Sequence, residues 1–267
     1  MLGKLLKYEL KATARIFFPL YGLIFLLAAL NRLFWQINAE GLMIPRVIMM
    51  TVYIMLVVSV FIITLVVTIQ RFYKNLLGDE GYLSFTLPVK THSHIDAKMI
   101  ITFLWSALSI LVSIISIFIL VADDQSLTQF SLMCGDIATV YHKLGLSAHL
   151  IALELIVVVI LMFVSSILEI YAAIVVGNLA GRHKLLAGVG AYLGFGIIEQ
   201  IIASLLIQGF GHQIMLYYDS FQLVQGAAAV VQPFEMTLLV LIVFSLFLCA
   251  AFYFFTHWML NRKLNLE

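Results

Sequence analysis

The chain has 267 residues, 63% of them hydrophobic and only 11% charged, and Lys+Arg 15 against Asp+Glu 14 leave a net charge of +1. A soluble domain carries about a quarter charged residues to cover its surface, so the solvent for most of this chain is hydrocarbon. The even balance argues against a nucleic-acid partner, and two cysteines, Cys134 in a loop and Cys249 inside an apolar run, do not make a disulfide framework.

Glu9 lies in the first fifteen residues, and the apolar stretch after them is too long for the core of a secretory signal. Those fifteen residues read instead as an amphipathic helix. Leu2, Leu5, Leu6, Leu10 and Thr13 recur at helical spacing, with Lys4, Lys7, Lys11 and Arg15 on other faces. Such a basic helix, 1–15, is expected to lie in the lipid headgroup layer.

The rest, 16–267, reads as a six-helix transmembrane domain, so the fold class is an all-α membrane protein. Stretches of about 20 residues poor in charge mark spans at 16–33, 47–69, 99–121, 150–176, 185–207 and 236–259. Lys and Arg set the orientation. Lys4, Lys7, Lys11, Arg15, Arg71, Lys74, Lys90, Lys98, Arg182, Lys184, Arg262 and Lys263 fall on one side, against Arg32, Arg46 and Lys143 on the other. Both termini are therefore expected in the cytoplasm, in a plasma membrane.

The loop 70–98 between the second and third spans is too long and too apolar for a simple turn. Gly78 can end the preceding helix, Asp79 can cap a short new one, and Pro88 marks where that one has ended. Tyr82, Leu83, Phe85 and Leu87 lie between them, apolar groups beside charge, a pattern that marks a protein contact. The outer loop 209–235 has no Lys or Arg, yet it carries the apolar run 223–231. Too short to span, that run fits a re-entrant or interfacial helix.

Two carboxylates lie well inside spans: Glu169 in the fourth and Glu199 in the fifth, the latter followed by Gln200. Charge in hydrocarbon is costly, so these three residues are candidates for a translocation path, a proton relay or an interhelical hydrogen bond. Glu154 lies near the outer boundary and is given no role. Gly190 and Gly194 form a Gly-x-x-x-Gly pair, read as a smooth face for close helix approach. No Gly-x-x-x-x-Gly-Lys-[Ser/Thr] phosphate loop, His-Glu-x-x-His or Gly-x-Ser-x-Gly occurs. His92-x-His94-x-Asp96 is a weak metal pattern, and no catalytic group or metal site is expected in this chain.

The stretch 71–83, RFYKNLLGDEGYL, followed by Phe85-Thr86-Leu87-Pro88, resembles the membrane (permease) subunit of type-2 ABC transporters, in particular an exporter group from Gram-positive bacteria. The topology of the whole chain is similar too. The resemblance implies that 1–15 is an elbow helix and that 79–87 forms a coupling helix on which a separate cytoplasmic ATPase docks. Gly78, Asp79, Glu80, Gly81, Tyr82, Leu83, Phe85 and Leu87 would make that contact, and Arg182, in the turn 177–184, the smaller second one. It further implies two ATPase copies carrying ATP and Mg, no cofactor on this chain, and a second permease chain, identical or related. The cargo expected is an amphipathic or hydrophobic substrate: an antimicrobial peptide, a drug or a lipid. Two other readings remain open: a secondary transporter using Glu169 and Glu199 as an ion relay, and a membrane scaffold or sensor that moves nothing.

Overall fold

A computed structural model describes residues 2–37, 42–77, 91–180, 182–221 and 228–262. Every element among them is a helix: α1 Leu2–Gln36, α2 Met43–Leu76, α3 Thr91–Val121, α4 Asp124–Leu144, α5 Leu146–Leu179, α6 Lys184–Phe221 and α7 Ala228–Arg262. Six of them, all but α4, are long and apolar enough to cross a membrane, and each contains one of the six expected spans. The chain divides into two compact units, Met1–Leu132 and Met133–Asn265. The first holds α1, α2 and α3; the second holds α5, α6 and α7.

In the first unit a string of hydroxyls and aromatic rings runs through an otherwise apolar interior. Phe17 stacks on Trp105 with ring centroids 4.5 Å apart and planes at 11°. Trp105 Nε1 donates to Thr13 Oγ1 at 2.7 Å. The Tyr21 and Ser109 hydroxyls share a hydrogen bond of 2.8 Å, Thr64 reaches the same Ser109 at 3.2 Å, and Tyr53 pairs with Ser116 at 2.8 Å. With no water in hydrocarbon, these hydroxyls take partners on neighbouring helices, at about 0.6 kcal/mol per bond on average, while Thr68 and Ser113 donate to carbonyls of their own helices. The bonds between helices fix register. Glu9–Lys98, Tyr21–Ser109 and Arg32–Ile119 are separated by 89, 88 and 87 residues in sequence, so α1 and α3 run parallel and in step. α2 runs antiparallel to α1, because Glu9 meets Arg71 at one end and Asn31 Nδ2 donates to Met49 O at the other.

The segment 1–15 is continuous with the first span: α1 passes from Leu2 to Gln36 without a break. Thr13 is buried, and Glu9 pairs with Lys98 at 2.8 Å and with Arg71 at 3.5 Å. An amphipathic pattern has the same period whether the helix lies flat or carries straight on, so periodicity did not separate the two arrangements.

α4 is an element the span search passes over, because Asp124, Gln125, Thr128, Gln129, Asp136, His142 and Lys143 interrupt every apolar window. Its start was nevertheless written in the sequence. Asp123 Oδ1 accepts the Ser126 backbone N–H at 2.8 Å, an N-cap. Hydrogen bonds from the Ser126 side chain and backbone hold the Asp123 carboxyl below the usual carboxylate range. The cap is therefore present at neutral pH and is lost as the pH falls through that lowered value. Leu127, Phe130, Cys134, Ile137 and Tyr141 recur at spacings of three and four along α4, and all are exposed. That pattern suits a helix in the membrane interface.

In the second unit α5 contributes the buried face, including Ser165, Leu168, Glu169, Tyr171, Ala172, Ala173 and Gly177. α7 packs on it, with Cys249 Sγ reaching Leu161 O at 3.5 Å; Leu248, Phe252 and Thr256 of α7 are buried, and Phe252 meets Phe195 of α6 edge-on at 5.4 Å. Cys134 and Cys249 are both free thiols. The outer segment 209–235 is shared between the end of α6 and the start of α7, with 222–227 outside the described residues.

Candidate functional site

The seam between α5 and α6 holds the intramembrane carboxylates. The two helices are joined by a short turn and lie antiparallel, and their closest approach is backbone to backbone. A Cβ on Gly177 would meet Gly188 Cα and Lys184 O at 2.7 Å and Gly188 N at 2.8 Å, and one on Gly188 would sit 3.5 Å from Ala173 O. Only glycine permits this packing. Gly190 and Gly194, by contrast, have open space where a Cβ would be. The close approach expected at Gly190-x-x-x-Gly194 is thus made two residues earlier, by Gly188. The reason is rotational: Gly188 sits on the stripe that faces α5, and a shift of two residues turns a helix by about 200°.

Glu169 faces the same seam. Its Oε1 lies 3.8 Å from where a Cβ on Gly196 would be, so a second missing side chain on α6 makes room for a carboxyl on α5. From the Gly177–Gly188 contact to the Glu169–Gly196 contact is eight residues on both helices, which fixes the register. Glu199 is three residues beyond Gly196, on the same side of α6 and about 4.5 Å further along the axis. Glu169 is only 6% exposed. Glu199 is half-buried, and its Oε1 is shielded with no hydrogen-bond partner among the described residues.

The seam therefore brings Glu169 and Glu199 together but leaves Gln200 apart, because Gln200 turns to the exposed side of α6. Glu154, near the start of α5, also has a shielded oxygen, Oε2, without a partner. Two carboxyls one helical turn apart along a seam can share a proton or a monovalent cation when their side chains reach each other. The sequence showed both acids. It did not show Gly196, whose absent side chain admits Glu169; the signal was its spacing of eight from Gly188 on one stripe of α6.

The proposed ATPase contact divides differently. Gly78, Asp79, Glu80, Gly81, Tyr82, Leu83, Phe85 and Leu87 lie outside the described residues. What flanks them is described. α2 continues six residues beyond Gln70 and is closed by Leu77 N donating to Tyr73 O at 2.8 Å, while α3 begins eight residues before Met99. Arg182 is exposed in the turn between α5 and α6, just past the Gly177–Gly188 contact.

No family model, curated protein or solved structure matches the chain significantly.

Proposed function

We propose that this chain is the permease subunit of an ATP-driven transporter of the type-2 ABC exporter kind, moving an amphipathic or hydrophobic substrate such as an antimicrobial peptide, a drug or a lipid. The ATPase is a separate cytoplasmic subunit in two copies, carrying ATP and Mg, and a second permease chain, identical or related, completes the path. Both termini are cytoplasmic in the plasma membrane.

The observation that carries the reading is the stretch 71–88 between the second and third spans, with Tyr82, Leu83, Phe85 and Leu87 among charged residues. Its flanks support it. α2 runs about 9 Å past its charge-free stretch and α3 starts about 12 Å before its own. A docked apolar segment between two rigid helices can pass the closing motion of an ATPase pair into the spans as a rigid-body displacement.

The double substitution Tyr82→Ala with Phe85→Ala is expected to leave the chain inserted and ATP hydrolysis active while transport stops. Transport at the wild-type rate in that variant rules out the contact.

A second reading, a secondary transporter driven by an ion gradient, is favoured by one observation: Glu169 opposite Gly196 in the α5–α6 seam, with Glu199 one turn further along α6. In that case transport survives ATP depletion and stops when the gradient is collapsed.

A further inference from the structure

Lys4, Lys7, Lys11 and Arg15 are all exposed and follow one another at spacings of three, four and four, which places them on one face of α1. Thr13 and Phe17, on the opposite face, are buried against the rest of the first unit. None of the four cations makes an ion pair among the described residues; the acid on this helix, Glu9, is turned inward to Lys98 and Arg71.

The register of the unit fixes how deep these cations lie. α3 is free of charge from Lys98 to Asp123, and α2 from Arg46 to Arg71. The Glu9, Arg71 and Lys98 cluster therefore marks the level at which the apolar zone of α2 and α3 begins. Arg32, whose Nη1 donates to Ile119 O at 3.1 Å, lies close to the other edge. Lys11 is two residues inside the Glu9 level and Arg15 six, about 3 Å and 9 Å. At those depths the parallel offset of 89 residues sets Lys11 level with Ile100 and Arg15 level with Leu104. The antiparallel pairing of Glu9 with Arg71 sets Ile69 and Leu65 of α2 at the same levels. These residues of α2 and α3 are apolar, and the next residue on the face of the two cations, Phe18, is 67% exposed.

A cation on a lipid-facing surface inside the apolar boundary is held only if an anion comes to it, and long side chains reach back toward the headgroups to find one. We propose that the outward face of α1 is a binding site for an anionic phospholipid. Arg15 and Lys11 draw its phosphate below the ordinary headgroup level, Lys7 and Lys4 add to the positive potential that attracts it, and Tyr8, 72% exposed at the boundary, lies against the glycerol region. The occupant is a lipid rather than a soluble anion because the two deepest cations lie where only a molecule with acyl chains has its phosphate beside hydrocarbon. This assignment rests on the first unit alone and is independent of the transport mechanism.

Native mass spectrometry of the purified full chain tests it, comparing the affinity of the first bound phosphatidylglycerol with that of phosphatidylcholine. The wild-type chain is expected to prefer phosphatidylglycerol. The Lys11→Gln, Arg15→Gln variant is expected to bind it more weakly by about five-fold per cation removed, with phosphatidylcholine unchanged. Arg15→Lys retains most of the affinity, and Lys184→Gln, which removes an exposed cation at the start of α6, has no effect. Lys11→Gln alone gives the single-cation loss if the double variant folds poorly. Equal affinity for the two lipids in the wild type, an unchanged double variant, or displacement of phosphatidylglycerol by equimolar inorganic phosphate overturns the assignment.

Discussion

Trp105→Ala is expected to destabilise the chain by about 3–5 kcal/mol, the cost of emptying a large aromatic site in a packed interior. Trp105 is 3% exposed, stacks on Phe17 and donates its indole proton to Thr13. Its removal leaves a void between α1 and α3 and strands the Thr13 hydroxyl, which then keeps only its bonds to the backbone carbonyls of Glu9 and Leu10. Lipid does not fill such a void, and packing is the principal force that holds membrane helices together. Trp105→Phe separates the two contributions: it preserves most of the stack and loses the hydrogen bond, so the expected cost is about 1 kcal/mol. Unfolding by a denaturing detergent, followed by circular dichroism, reads both. A wild-type transition in Trp105→Ala contradicts the register assigned to α1 and α3.

Gly177→Ala acts in the second unit by the opposite mechanism. The added methyl group falls on backbone atoms of Lys184 and Gly188, at 2.7 Å, and backbone does not swing aside as the end of a side chain does. α5 and α6 must part along the seam that carries Glu169 and Glu199, at a cost of about 1–3 kcal/mol. Gly190→Ala and Gly194→Ala add the same methyl group to open space on the facing helix, α6. Away from any contact, alanine is the better helix former by about 1 kcal/mol, so these two are expected to be neutral or stabilising. Equal destabilisation in all three variants contradicts the seam.

The two substitutions also show what the amino-acid sequence expresses and what it leaves to packing. Hydropathy alone placed all six long apolar helices, because a run of about 20 apolar residues poor in charge has few other structures open to it. Hydropathy was silent on Thr13, Tyr21, Tyr53, Thr64, Ser109 and Ser116. A hydroxyl in an apolar run reads the same whether it faces lipid or a neighbouring helix, and only the register of α1, α2 and α3 shows that these six meet. Gly190 and Gly194 were conspicuous as a motif, yet Gly188 makes the contact with Gly177, because rotation about the α6 axis is set by its neighbours. Glu169 and Glu199 were legible as buried acids from depth alone. That they face one seam depended on Gly196, a residue remarkable only for what it lacks. The helix α4 went unread because its apolar spacing of three and four is diluted by Asp, Gln and Thr, although the Asp123 and Ser126 cap announced it.

The central claim is that an ATPase in a second chain drives this one through the segment 79–87. The most direct measurement is purification of the chain from cells that also express the proteins encoded beside it, with ATP hydrolysis assayed on the purified material. An ATPase is expected to be recovered with the chain, and after the Tyr82→Ala, Phe85→Ala substitutions its hydrolysis is expected to continue without driving transport. A chain that purifies without an ATPase, and that supports proton-coupled flux when reconstituted alone, contradicts it and moves the mechanism to Glu169 and Glu199.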